Sequence, residues 1–139
     1  MKIDLTGKRA LIAGGSRGIG LAIAEAYAQA GADVSICARS EGPLREAEVA
    51  LKKHGNKVLA TSCDLGDANA IKQWVEASAK ALGGIDILVN NSGVSTTQRI
   101  QDVSEEDYDF VFDTNVRGAF FVAQEVGKRM LARAKGAAP

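Results

Sequence analysis

The sequence predicts an α/β protein in which a doubly wound parallel sheet carries helices on both faces, in three layers. Short apolar runs alternate with longer segments whose apolar residues follow the helical period, in the order β-α-β-α-β-α-β-α. This alternation requires right-handed crossovers and therefore parallel strands. The first apolar run also breaks into glycines just before the first helical segment, which is typical of the ligand-binding edge of such sheets.

The predicted strands are the four apolar runs at residues 9–13, 33–38, 57–62 and 85–89. The first run is too short and too uniformly apolar for a surface helix, and it fits a strand buried on both faces. In doubly wound order the strands lie side by side as 3-2-1-4, and a crevice between strands 1 and 4 opens at their carboxyl ends. The stretches that should meet at this crevice are residues 14–20, 38–39, 64–65 and 90–95.

The first three helices are marked by capping and turn residues. The first covers residues 19–30 and is followed by Gly31, a common stop signal just beyond a helix. The second begins at Ser40 or Gly42. Asp67 caps the third, whose shared apolar face contains Ile71, Trp74, Val75, Ser78 and Leu82.

A long fourth helix is predicted from about Ser104 to about Ala134, after a polar loop at residues 90–101. Ser104 and Asp107, three residues later, form a capping box that is typical of a helix start. The apolar side of this helix is predicted to include Val111, Val116, Phe120, Ala123 and Met130.

Three glycines shape the turn between the first strand and the first helix. Gly14, Gly18 and Gly20 stand in a GxxxGxG pattern, which differs from the general GxGxxG dinucleotide pattern and lacks the Lys-Ser/Thr ending of a P-loop. A glycine turn of this kind aims backbone N–H groups and the positive end of a helix dipole at one point, which favours a phosphate. The alternative is a tight turn that binds no ligand.

Composition limits the classes of function. The chain has 139 residues, of which 46% are hydrophobic and 24% charged, so it is long enough for one globular domain with a core and too short for two. Lys and Arg number 17, as do Asp and Glu, so a net charge of zero gives no electrostatic case for nucleic acid or an anionic membrane.

The two cysteines and the N-terminal residues predict a cytoplasmic protein. Cys37 and Cys63 form no CxxC pattern and lie in or beside apolar runs, which favours buried free thiols over a disulfide or a metal site. The first eight residues contain no apolar signal core, and no segment approaches the length of a membrane span.

Four motifs, spread in order over nearly the whole chain, resemble the N-terminal part of the short-chain dehydrogenase/reductase family. They read Gly14-Gly15-Ser16-Arg17-Gly18-Ile19-Gly20, Cys63-Asp64-Leu65, Asn90-Asn91-Ser92-Gly93 and Thr114-Asn115-Val116-Arg117-Gly118. The resemblance implies a Rossmann fold and hydride transfer between a nicotinamide cofactor and a carbonyl or secondary alcohol. Two positions depart from the family pattern: Ala13, where the family usually has Thr, and Ser92, where it usually has Ala.

The resemblance also implies roles for individual residues. The glycine turn would line the cofactor pyrophosphate, mainly through its backbone, with Gly14, Ser16, Gly18, Ile19 and Gly20. Asp64 would accept a hydrogen bond from the adenine amino group beside Leu65, and Asn91 and Gly93 would approach the ribose. Asn115 matches the asparagine of the catalytic tetrad, which holds a water in the proton relay. The alternative for Asn115 is a residue that braces a bend in the helix.

Charge at the end of the second strand predicts which nicotinamide cofactor is bound. An acidic residue there would bind the ribose 2′-hydroxyl and repel a 2′-phosphate, but no carboxylate occurs before Glu41. Arg39 and Arg17 can instead flank a 2′-phosphate from two sides. The prediction is therefore NADP, with NAD less favoured, and the alternative is that both are ordinary surface arginines.

The proton-transfer residues of the family are absent. In this family a lysine follows the catalytic tyrosine four residues later, and a phenol with a pKa of about 10 is a poor base without such a neighbouring cation. Gly31 follows Tyr27 at that distance and Phe112 follows Tyr108. We therefore expect a single NADP-binding domain over residues 1–139 whose C-terminal strands are missing, a piece of a longer reductase.

Other functions and partners stay open at this stage. The alternative to a reductase is a non-catalytic dinucleotide-binding module. The substrate is expected to be a small carbonyl or alcohol, such as a 3-oxoacyl thioester, a sugar or a polyol, with no metal. The last helix resembles one that relatives use in subunit contacts, which implies a homodimer or homotetramer.

Overall fold

The four strands form one parallel sheet in the computed structural model, which describes residues 1–136. They are β1 (Arg9–Ala13), β2 (Asp33–Ala38), β3 (Val58–Ser62) and β4 (Ile87–Asn90), and their order is β3-β2-β1-β4. The predicted fold class and strand order are confirmed. Strand β4 begins two residues later than predicted. The sheet register aligns Ala10 with Val34 of β2 and with Ile87 of β4.

Within residues 1–136 the chain also forms five α-helices. They are α1 (Gly18–Gln29), α2 (Glu41–Lys52), α3 (Ala68–Leu82), α4 (Glu105–Phe112) and α5 (Ala119–Ala134), with a 3₁₀ turn at Ile100–Asp102. Asp67 caps α3 as predicted, because its Oδ1 accepts a hydrogen bond from the N–H of Asn69 at 2.9 Å. The predicted capping box of Ser104 and Asp107 also forms at the start of α4. Within residues 1–136, no helix combines the length and the apolar character needed to cross a bilayer.

The core consists of two apolar layers, one on each face of the sheet. Successive strand side chains point to opposite faces. Ile12 of β1 therefore packs on one side with residues of α1 and α2, whereas Leu11 packs on the other with residues of α3 and α5. This two-sided burial explains why β1 is apolar from Ala10 to Ala13, and it confirms the three-layer arrangement.

The long fourth helix is not continuous, and its predicted apolar side is largely wrong. A π-helical segment, Asp113–Gly118, separates α4 from α5. Val122 and Val126 face the core, whereas Val116 and Phe120 are 57% and 61% exposed. The wider π turn holds an extra residue, so the apolar period before it does not continue in phase after it.

Candidate functional site

A cleft of about 230 Å³ opens at the carboxyl ends of the strands, beside the boundary between β1 and β4. Residues from all four stretches predicted to meet there line it. The lining residues are Gly14, Ser16, Arg17, Ala38, Arg39, Ser40, Pro43, Cys63, Leu65, Asn91, Ser92, Gly93, Val94 and Thr114. In open parallel sheets this position, where the strand order reverses, is the usual ligand site.

The glycine turn forms one wall of the cleft and is fixed by backbone contacts. Gly14 has a φ of +77°, and a Cβ there would lie 2.9 Å from Oγ of Ser92. The N–H groups of Gly14 and Gly15 both donate to the carbonyl oxygen of Cys37, at 3.0 and 3.1 Å. The turn therefore needs glycine at position 14, both for its backbone conformation and for its close approach to the segment after β4.

The N-terminus of α1 is open to an anion. No side chain caps this helix, and its first turn contains no acidic residue. The first N–H groups of an α-helix have no partner within the helix, and the helix dipole adds positive potential there. Of the predicted residues in this turn, Gly18 and Ile19 are exposed and do not line the enclosed space.

Gly20 is buried beneath the turn instead of lining the cleft. A Cβ at this position would collide with the carbonyl oxygen of Gly14 and would lie 2.8 Å from Nδ2 of Asn91. Nδ2 of Asn91 donates to that same carbonyl oxygen at 3.4 Å. Gly20 and Asn91 therefore support the glycine turn from behind.

Arg17 and Arg39 both line the cleft, and each is largely exposed. Among the ion pairs of residues 1–136, neither arginine has a carboxylate partner. The guanidinium carbon of Arg39 lies 4.9 Å from the centroid of the Phe110 ring. The two positive charges are thus left available to an anionic ligand.

Leu65 and Asp64 behave differently although they are adjacent. Leu65 is 5% exposed and forms part of the cleft lining. Asp64 does not line the cleft, and its Oδ1 accepts a hydrogen bond from the N–H of Gly66 at 2.8 Å. Asp64 was predicted to contact adenine, and one of its two carboxylate oxygens instead stabilises the turn at residues 64–66.

Asn115 lies in the π-helical segment, beside the cleft but not in its lining. Its Oδ1 accepts from the N–H of Val94 at 2.8 Å, and its Nδ2 donates to the carbonyl oxygen of Val94 at 2.7 Å. Nearby, Nδ2 of Asn90 donates to the carbonyl oxygen of Ala119 at 2.8 Å. The two asparagines hydrogen-bond the end of β4 and the segment after it to the interrupted helix. These contacts agree with the alternative in which Asn115 has a bracing role.

The two cysteines lie side by side beneath the cleft. Both are buried free thiols, and Cys63 contributes to the lining. Burial raises the pKa of the Cys37 thiol, whereas hydrogen bonding to Cys37 lowers the pKa of Cys63. The predicted free thiols are therefore present, and one of them borders the candidate ligand space.

Several lining residues were given no individual ligand role from the sequence. Ser92 and Val94 lie within the predicted stretch 90–95, Thr114 belongs to one of the family motifs, and Ser40 was predicted as a helix start. Pro43 and Thr114 enter the cleft because the start of α2 and the π segment turn toward it. A bend near the π interruption was considered from the sequence only as the alternative role of Asn115. In the structure Gly118 fits this segment because a Cβ there would collide with the carbonyl oxygen of Leu65.

These features define a class: an α/β protein with a cleft at the carboxyl edge of a doubly wound sheet, lined by a glycine turn and two arginines. Residues 8–138 match the family model described as short chain dehydrogenase. The chain belongs to this family of oxidoreductases. The family predicted from its four motifs is therefore confirmed.

Individual relatives agree with this assignment. Gluconate 5-dehydrogenase from Gluconobacter oxydans is 37% identical over 133 residues, which are 96% of this chain and 52% of the relative. L-Sorbose reductase from Gluconobacter frateurii, complexed with NADPH and L-sorbose, has a TM-score of 0.89 at 37% identity, covering 96% of this chain and 51% of that chain. NAD⁺-bound xylitol dehydrogenase has a TM-score of 0.88 at 29% identity, covering 93% of this chain and 50% of that chain. The chain therefore spans about half the length of the relatives it matches.

Proposed function

We propose that this chain binds NADP and forms the cofactor-binding part of an oxidoreductase. The enzyme transfers hydride between the nicotinamide and a carbonyl or secondary alcohol of a sugar or polyol. The observation that carries the cofactor assignment is the pair of arginines, Arg17 and Arg39, that line one cleft without carboxylate partners within residues 1–136. A 2′-phosphate is the part of NADP that such a pair recognises, and each charge-assisted contact contributes about 1.5 to 3 kcal/mol.

The rest of the cleft fits a dinucleotide. The pyrophosphate would lie against the turn from Gly14 to Gly20, where α1 begins without a capping side chain. Leu65 would border the adenine, with the free oxygen of Asp64 as acceptor for its amino group. Asn91 and Gly93 would approach the ribose from the β4 side. Both cysteines are free thiols, which fits a cytoplasmic location.

The substrate class is inferred from the relatives. Gluconate 5-dehydrogenase, L-sorbose reductase and xylitol dehydrogenase are named for a sugar acid, a sugar and a polyol. We infer a polyhydroxylated substrate of similar size for this protein. The relatives include complexes with NADPH and with NAD⁺, so the preference for NADP depends on the two arginines.

Proton transfer requires groups beyond those in this chain. The nicotinamide, when bound, supplies the hydride or accepts it. Asn115 holds the region after β4 through Val94, and Thr114 beside it lines the cleft, so this segment shapes the inner end of the site. Neither tyrosine has a lysine four residues later. A longer reductase would supply the serine, tyrosine and lysine, and a non-catalytic dinucleotide-binding module is the alternative.

We also propose that the protein assembles as a homodimer or homotetramer. Four large apolar side chains recur at every fourth position along α4, the π segment and α5, and each is 45% exposed or more: Tyr108, Phe112, Val116 and Phe120. The rings of Tyr108 and Phe112 stack at a centroid distance of 4.3 Å. An apolar stripe of this kind is typical of a surface covered by another subunit.

Nucleotide titration tests the cofactor assignment. The wild-type chain should bind NADPH at least about tenfold more tightly than NADH, measured by calorimetry. Arg39→Ala should weaken NADPH about tenfold or more and leave NADH within about twofold. Arg129→Ala, an arginine of α5 outside the cleft, is the matched control and should change neither. Equal affinity of the wild type for both nucleotides would overturn the assignment.

Turnover separates the two candidate functions. The complete gene product should oxidise NADPH with ketoses and reduce NADP with polyols, measured by nucleotide fluorescence. Binding of NADPH without turnover in every form of the protein would favour the dinucleotide-binding module.

A further inference from the structure

Arg39 is held by an aromatic ring from another part of the chain. Its guanidinium carbon lies 4.9 Å from the centroid of Phe110, a residue of α4. Arg39 lines the cleft just after β2, and Thr114, one helical turn beyond Phe110, also lines it. The contact therefore connects two segments that border the same ligand space.

The choice of an aromatic partner has an electrostatic consequence. A carboxylate would also hold Arg39, but it would neutralise the charge and repel a phosphate. A phenyl ring attracts the guanidinium without carrying a charge or a hydrogen-bonding carboxylate, so the N–H donors of Arg39 stay available for a bidentate contact. Phe110 can thus restrain Arg39 without reducing its capacity to bind an anion.

Acidic residues are close in sequence to Phe110 but do not pair with Arg39. The first turn of α4 contains Glu105, Glu106 and Asp107. Asp107 instead accepts hydrogen bonds from Ser104 at 2.8 Å and from Gln98 at 3.0 Å. Although α4 offers several carboxylates, Arg39 contacts its ring.

We propose that Phe110 is a positioning residue that determines cofactor specificity by holding the Arg39 guanidinium ready for a 2′-phosphate. This inference rests on the proposed binding of NADP. Arginine has a long side chain with many rotamers, and restraint before binding reduces the entropy lost when the phosphate is bound. The ring therefore contributes to affinity for a 2′-phosphorylated nucleotide and not to affinity for adenosine itself.

Two small nucleotides isolate this contribution. Adenosine 2′,5′-bisphosphate and adenosine 5′-phosphate differ only in the 2′-phosphate, and both are titrated calorimetrically. Phe110→Leu should weaken the bisphosphate about two- to fivefold, the range expected for an exposed cation–π contact, and leave the monophosphate unchanged. Phe110→Trp keeps an aromatic face and should retain or improve the bisphosphate affinity. Leu131→Ala, at an exposed apolar residue of α5 outside both the cleft and the apolar stripe, is the control and should alter neither.

A double-mutant cycle with Arg39→Ala distinguishes positioning from a structural role. In the Arg39→Ala background, Phe110→Leu should have no further effect on the bisphosphate affinity. Equal weakening of both nucleotides by Phe110→Leu, or the same loss with and without Arg39, would overturn the inference while leaving NADP binding intact. If wild-type protein does not prefer the bisphosphate, the proposed NADP binding and this inference both fail.

Discussion

Arginines occur at both ends of the parallel strands, but their electrostatic surroundings are opposite. At the amino ends of β1 and β4, Nε of Arg9 lies 2.9 Å from Oδ2 of Asp86, and Nη1 of Arg133 lies 2.9 Å from Oδ1. Arg9 also donates to the carbonyl oxygen of Gly83 at 2.8 Å. At the carboxyl ends, Arg17 and Arg39 have no carboxylate partner within residues 1–136.

The arginines at the amino ends are paired within the fold, whereas those at the carboxyl ends line the cleft and are unpaired within residues 1–136. The Asp86 carboxylate lies between two guanidinium groups and is only 20% exposed, and hydrogen bonding to Arg9 lowers its pKa to about 2. These charges satisfy one another and join β1, β4 and α5. The arginines of the cleft form no ion pair within residues 1–136, so no carboxylate neutralises their charge.

Gly20→Ala is expected to have the largest effect, because it disrupts the glycine turn at the carboxyl end of the sheet. The added Cβ meets backbone, the carbonyl oxygen of Gly14, and this cannot be relieved by rotating a side chain. We expect a loss of about 3 kcal/mol in the free energy of unfolding and loss of NADPH binding. Urea denaturation and nucleotide titration measure the two effects.

The control for this substitution is Gly127→Ala in α5. A Cβ at Gly127 meets nothing within 4 Å, and the site lies inside a helix. This substitution should raise the free energy of unfolding by about 0.5 to 1 kcal/mol, because alanine favours helix more than glycine does. Wild-type stability in Gly20→Ala would show that the glycine turn tolerates a side chain and is not tightly packed.

Asp86→Asn tests the amino end of the sheet. It leaves two guanidinium groups without a carboxylate and should lower the free energy of unfolding by about 2 kcal/mol at neutral pH. NADPH affinity should be unchanged, because the substitution lies at the other end of the strands. Denaturation gives the free energy of unfolding and titration gives the NADPH affinity, both measured on the same preparations.

The pH dependence of Asp86 has a defined sign. The pKa of Asp86 in the folded protein is lowered to about 2, so its stabilising contribution is complete above the unfolded value of about 3.9 and is lost as pH falls toward 2. Between these values, the wild type should lose its advantage over Asp86→Asn. Glu76→Gln, which breaks an exposed pair with Lys80, is the control and should have little effect. A difference in the free energy of unfolding between wild type and Asp86→Asn that stays constant across that range would refute the lowered pKa assigned to Asp86.

The sequence predicted the sheet and the place of the cleft because both depend on local patterns. Apolar periodicity defined the strands, and the strand order follows from the doubly wound arrangement that their alternation with helices indicates. Gly14 and Arg39 could be assigned to one crevice because parallel strands bring their carboxyl ends to the same edge.

Features that depend on contacts distant in sequence could not be predicted. The π segment Asp113–Gly118 breaks a helical pattern that looks continuous in the sequence, and Val122 and Val126 replace Phe120 on the buried face. The contact of Phe110 with Arg39 joins residues of α4 and of the connection after β2. Neither residue alone carries a sign of its partner, so this part of the site is visible only once the chain is folded.

The smallest expected effect is a difference in salt dependence between the two ends of the sheet. Raising NaCl from about 0.1 M to about 1 M shortens the Debye length from about 10 Å to about 3 Å, which screens exposed charges more than half-buried ones. The proposed preference for NADPH over NADH rests on the charges of the exposed Arg17 and Arg39, so it should fall severalfold. The stability difference between wild type and Asp86→Asn should change by less than half, because the side chains of Arg9 and Asp86 are only 18% and 20% exposed. Comparing each variant with the wild type at the same salt concentration cancels general salt effects on folding. An NADPH preference that is constant over this range would mean that the charges of the two arginines do not select the cofactor.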